Sequence, residues 1–107
     1  MQFVVIGRDA KDDKALERRM AARDAHIAMI KEGVESGRNI LGAAMLDEKG
    51  AMNGSVMVLD FESREALDEW LKKEPYVTEK VWDEIEVIPC SIPPTFAHVL
   101  PQKTKAA

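Results

Sequence analysis

Apolar and polar positions change their period several times along the chain, and each change marks an element boundary. Residues 2–7 (QFVVIG) form a β-branched and aromatic run closed by Gly7 and followed by the polar stretch Arg8 to Lys14, which predicts a strand and a loop. From about Asp13 to Ser36, Leu16, Met20, Ile27, Ile30 and Val34 recur with the spacing of one helix face, and Gly37 supplies a left-handed cap. Residues 39–46 predict a second strand, Asp47-Glu48-Lys49-Gly50 a turn, and residues 55–61 (SVMVLDF) a third strand, so that the two strands make a hairpin. Ser63 is a suitable N-cap, and the stripe Ala66, Leu67, Trp70, Leu71 predicts a second helix that Glu74-Pro75 stops. The alternation Glu84-Ile85-Glu86-Val87-Ile88, ended by Pro89, predicts a fourth strand.

The order βαββαβ predicts an α+β fold of the ferredoxin-like kind, a four-stranded antiparallel sheet with two helices on one face. A sheet covered on one side should alternate apolar and polar residues. Phe3-Val4-Val5-Ile6 and Val56-Met57-Val58-Leu59 are instead apolar on both faces. Such a patch needs a cover, and a second copy packed sheet to sheet about a two-fold axis supplies one, which predicts a homodimer through the open sheet face. The other cover is the tail: residues 91–107 carry Pro93, Pro94 and Pro101, show no period, and read as an extended arm following a domain of residues 1–90. Ile92, Phe96 and Val99 could fold back over the open face, or reach across a dimer.

Composition narrows the picture. At 107 residues the chain makes one domain with a modest core, and its hydrophobic and charged fractions of 46% and 32% are those of a globular protein. No stretch reaches the length of a membrane span, no signal peptide opens the chain, and one cysteine, Cys90, cannot form an internal disulfide, so a cytoplasmic protein without a membrane partner is expected. A net charge of -4 lacks the basic footprint of a nucleic-acid binder. His26, His98 and Cys90 have no metal-ligand spacing, and neither GxGxxG nor GxxxxGK[ST] occurs, so no metal or cofactor is expected. Ser36-Gly37 and Gly54-Ser55 lack the setting of a nucleophile elbow.

Two residues stand out for their positions. His26 lies three after Arg23 and four before Ile30, in a strip at the border of the apolar helix face, and an inward imidazole is suited to proton transfer. The same spacing also admits a hydrogen-bonded structural histidine. Glu74, four after Trp70 and three after Leu71, falls on the buried stripe at a helix end and needs a partner there, such as His26 or Arg23. A His–carboxylate pair is an acid–base unit in which the carboxylate orients the ring. Alternatively, Glu74 turns outward at a frayed end.

Arg23-Asp24-Ala25-His26, followed by Gly37-Arg38-Asn39-Ile40-Leu41-Gly42, Gly54-Ser55, Phe61-Glu62-Ser63 and Glu74-Pro75-Tyr76, resembles in order and spacing the motifs of the YCII-related (YciI-like) family over roughly residues 1 to 89. The resemblance implies a dimeric α+β barrel similar to muconolactone isomerases, and a cleft holding the helix histidine and the aspartate of a D-P-[YF] motif. Those positions are His26 and Glu74 here, with Arg23, Tyr76 and Ser55 as ligand contacts. Glutamate replaces the usual aspartate, and Gly42-Ala43 replaces a Gly-Pro. The family includes a dehydrochlorinase acting on a hydroxylated aromatic ring. The implied function is a cofactor-independent enzyme doing His/carboxylate acid–base chemistry on a small, aromatic or lactone-like metabolite. The alternative is a dimer that binds a small ligand without catalysis.

Overall fold

A computed structural model describes residues 1–100. Four strands, β1 (Gln2–Asp9), β2 (Asn39–Leu46), β3 (Met52–Asp60) and β4 (Trp82–Cys90), form one sheet in the order β2-β3-β1-β4. Every neighbouring pair is antiparallel. Helices α1 (Ala15–Ser36) and α2 (Arg64–Leu71) follow β1 and β3, as the hydrophobic pattern predicts, and a further single turn, α3 (Pro75–Thr78), precedes β4. No helix among the described residues is long and apolar enough to cross a membrane.

Register decides which side chains meet. Phe3 lies opposite Leu59, and Val5 opposite both Met57 and Val87, so this row of the sheet faces the helices. With Leu67, Trp70, Tyr76, Val81 and Trp82 it makes the core. Val4, opposite Val58 and Ile88, and Ile6, opposite Val56, belong to the other face and are only half-buried.

Three expectations need correction. The large apolar residues of α1 do not all turn inward: Leu16, Met20 and Val34 are 44%, 51% and 57% exposed, while Ala15, Arg19, Ala22, His26 and Gly33 are buried. Small side chains allow a close approach, and the two polar ones find internal partners that offset their desolvation. Pro75 does not merely stop α2, which ends at Leu71; it occupies the first turn of α3, where its fixed φ and missing N–H fit. The arm is not wholly extended either, because Pro94–Val99 coil into a 3₁₀ helix. Its Ile92 N–H donates to Gln2 Oε1, and Ile92, Pro93, Phe96 and Val99 border a hollow with Val4, Leu41 and Val58 on the open face. The rest of the expected arm, residues 101–107, lies outside the described residues.

Two glycines are required by geometry. Gly37 ends α1 at φ 86°, in the left-handed region, and Arg38 N–H donates to the Gly33 carbonyl to close the cap. Gly7 lies beneath the Trp82 indole, where a Cβ would come within 2.4 Å of the ring. Gly7→Ala is therefore expected to lower unfolding stability by about 1–3 kcal/mol in urea titration, as an overpacked core position does. Gly42→Ala, whose Cβ would meet nothing closer than 3.7 Å, is expected to stay within about 0.5 kcal/mol of wild type.

Candidate active site

The carboxylate at the start of α3 is placed by the backbone. A residue before proline is steered away from helical geometry, and Glu74 is extended at φ -67° and ψ 124°. As N-cap it accepts the Tyr76 N–H at 2.9 Å through Oε1. The same oxygen lies 2.7 Å from His26 Nδ1. Glu74 is fully buried, and its second oxygen makes no hydrogen bond with a described residue. The longer glutamate thus fills the role of a shorter cap and still reaches the ring. The Nδ1–H tautomer of the ring would donate to this oxygen. That leaves Nε2 without a protein partner among the described residues, on a ring that lines a cavity.

The cavity, of about 290 Å³, lies between α1 and the β2–β3 hairpin. Arg19, Arg23, His26, Ile27 and Ile30 come from α1; Gly42, Ala43 and Ala44 from β2; Met52, Ser55 and Met57 from β3; and Tyr76 from α3. All five residues expected from the sequence therefore converge: four line the cavity, and Glu74 stands behind His26. A hollow of about 420 Å³ on another side of α1 has an alanine floor, and one of about 380 Å³ on the open sheet face is largely apolar; neither is lined by His26 or Glu74.

Sequence reasoning missed the support beneath these residues. Arg19, almost wholly buried, grips Asp9 through Nη1 at 2.9 and 3.2 Å, and its Nη2 donates to the Gly54 carbonyl at 2.9 Å and to Ser55 Oγ at 2.8 Å. Trp82 Nε1 donates to the same Ser55 oxygen at 3.3 Å. Burial pushes the Asp9 carboxyl up, and the opposing pull of Arg19 is smaller. The signal was the stripe Ala15, Arg19, Ala22, His26, spaced four, three and four, in which small residues mark the packed face and place Arg19 on it.

Arg19 and His26 lie two turns apart on α1, about 10 Å, and the Tyr76 ring stands between them. It stacks on His26 at 3.8 Å between centroids, inclined by 11°, with the Arg19 guanidinium carbon 4.7 Å from its centre. Trp82 meets both rings edge-on. Arg23 makes no ion pair or hydrogen bond with another described residue and is exposed at the cavity wall.

A profile of the YCII-related domain matches residues 1–91. The chain belongs to the YCII family. Protein YciI of Escherichia coli O6:H1 is 32% identical over 95 residues, covering 83% of this chain and 95% of that protein. An uncharacterized protein of Haemophilus influenzae is 29% identical over 96 residues, with the same coverage. Among solved structures, the 5-chloro-2-hydroxyhydroquinone dehydrochlorinase of Burkholderia phenoliruptrix, in complex with 2,5-dihydroxybenzoquinone, superposes with a TM-score of 0.71 over 85% of this chain and 94% of its own, at 19% identity. This likeness establishes the shared fold, and the ferredoxin-like topology expected from the sequence holds for this YCII chain.

The lone tyrosine offers a test of the electrostatics. Burial raises the Tyr76 phenol above its ordinary value of 10.0, while the Arg19 and Arg23 charges partly offset the rise. Between that ordinary value and the higher folded one, the native chain keeps a proton that the unfolded chain has released, so stability should fall as pH rises through this window. Tyrosinate absorbance should report the raised titration directly. Tyr76→Phe should remove its share of the alkaline loss, measured as unfolding free energy against pH.

Proposed function

We propose that this YCII protein is a cofactor-independent enzyme that moves a proton on a small metabolite of the aromatic or lactone-like kind. The observation that carries the reading is the fully buried Glu74 carboxylate bonded to His26 Nδ1. Burying a carboxylate with one oxygen unpartnered is costly, and such an arrangement is retained where it has a task. Here the task is orientation. Glu74 fixes the imidazole tautomer so that Nε2 faces the cavity as a base, and its charge balances the proton that Nε2 receives; the same nitrogen then returns the proton at another atom. Stacking against Tyr76 restrains the ring from the side. Support also comes from the neighbour of the same fold, whose name describes removal of chlorine from a hydroxylated ring.

The test is deuterium incorporation. Incubated in heavy water with 2,5-dihydroxybenzoquinone or an enolisable lactone, the wild type should accelerate exchange at carbon. His26→Ala should lose about 10²–10⁴ of that acceleration. Glu74→Gln should lose a comparable share, and the double variant should be little worse than either single one, because the two groups act as a unit. Acceleration that survives His26→Ala defeats the proposal. A wild type that binds these compounds without exchange favours the non-catalytic ligand-binding dimer.

The working form we propose is a cytoplasmic homodimer joined through the open sheet face, on which Leu41 is 67% and Ile88 42% exposed beside the half-buried Val4 and Val58. Size-exclusion chromatography with light scattering should give twice the chain mass of 12.0 kDa, and Leu41→Asp should shift the mass toward the single chain. A wild type that stays monomeric at micromolar concentration would contradict it.

A further inference from the structure

The hydrogen-bonding capacity of the cavity wall is weighted toward donors. A serine hydroxyl has two lone pairs and one proton. Both lone pairs of Ser55 are taken, by Arg19 Nη2 and Trp82 Nε1, so only its proton remains for a ligand. Tyr76 is 2% exposed and lines the cavity, and its hydroxyl has no partner among the described residues. A phenol is protonated at neutral pH, so it too presents an O–H. Arg23 adds an unpaired guanidinium, which can only donate. No aspartate or glutamate lines the cavity, although the chain as a whole carries a net charge of -4. Among the described residues, the side-chain acceptors left in the wall are the Tyr76 oxygen, which also donates, and whichever ring nitrogen of His26 carries no proton. The remaining side chains are mostly apolar, notably Ile27, Ile30, Met52 and Met57.

We propose that the cavity binds a small organic oxyanion, a carboxylate or an enolate on an apolar body, with Arg23 as its charge partner and the Tyr76 and Ser55 hydroxyls as its donors. The assignment deepens the acid–base reading of the same site and rests on it for the direction of proton flow. A wall of donors stabilises negative charge on oxygen, and one base beside them removes a proton from the neighbouring carbon. The volume of about 290 Å³ lies near the lower end for ligand sites, which restricts the body to about one substituted ring. Arg19 and Trp82 are then positioning residues: by occupying the Ser55 lone pairs they oblige its hydroxyl to donate.

Calorimetric titration of the protein with three probes separates the possibilities. Benzoate offers a carboxylate, 4-nitrophenolate at mildly alkaline pH offers an enolate-like oxygen, and benzamide keeps the shape of benzoate without its charge. At least one anion should bind roughly tenfold or more tightly than benzamide, as charge-assisted hydrogen bonds dictate. The tighter of the two identifies the source of the charge. Arg23→Gln should lose at least about tenfold for that anion, Arg23→Lys should retain part of the affinity, and Ser55→Ala should lose about two- to tenfold with unfolding still cooperative. Benzamide binding as tightly as the anions, an Arg23→Gln variant with undiminished anion affinity, or no binding of either anion at millimolar concentration overturns the proposal. Neither benzoate nor benzamide carries a carbon-bound proton that the site could exchange. Failure of the deuterium experiment therefore leaves a positive binding result standing, and the reverse also holds.

Discussion

One carboxylate oxygen ties α1 to α3. Glu74 Oε1 receives the Tyr76 N–H of its own turn and lies 2.7 Å from His26 Nδ1 of α1, in a position with no solvent access. Were the carboxylate displaced, α3 would lose its cap and the imidazole its orientation. The proline that follows Glu74 keeps this from depending on side-chain flexibility, because it restricts the backbone conformation from which the carboxylate projects. A buried charge held by local backbone geometry is firmer than one held by a long side chain reaching across a surface.

Beneath this pair lies a second layer that sets what the first can do. Asp9 at the end of β1 neutralises Arg19, and Arg19 in turn meets Gly54, Ser55 and the face of Tyr76. The indole that helps to saturate Ser55 reaches it only because Gly7 leaves room for the ring on the sheet. A strand glycine, a strand-end aspartate and a helical arginine therefore contribute to the polarity of a wall two of them do not line. Desolvated groups interact through a lower effective dielectric than surface groups, so such a layer carries more weight than exposed ion pairs such as Arg64–Asp68.

The strands, the hairpin, the first two helices and the one-sided layer were legible because each rests on local period and turn chemistry: the apolar run ended by Gly7, the Asp47–Gly50 turn, the Ser63 cap. His26 and Glu74 were legible as polar residues in places where solvent is scarce. The inward face of α1 was not, because large apolar residues dominate a periodicity count. This helix packs through Ala15, Ala22 and Gly33 and sends Leu16, Met20 and Val34 outward. Arg19 and Asp9 escaped notice for a related reason: a buried ion pair formed across elements leaves two ordinary charged residues in the sequence, and only their partners distinguish them from surface charges. The separate turn at Pro75 was hidden by the rule that proline ends helices, which holds as well as its complement that proline begins them.

Chemistry and volume reside on different elements. The titratable and charged groups come from α1 and the start of α3, whereas the far wall is the edge hairpin, where Gly42 lies opposite Met57 and Ala44 opposite Ser55. Gly42 has no positive φ, and a Cβ there would meet Met57 and the Val56 carbonyl only at ordinary van der Waals distance, 3.7 Å. Adding bulk at positions 42 or 44 would therefore trim the chamber from one peripheral strand, while His26 and Glu74, held on other elements, keep their contact.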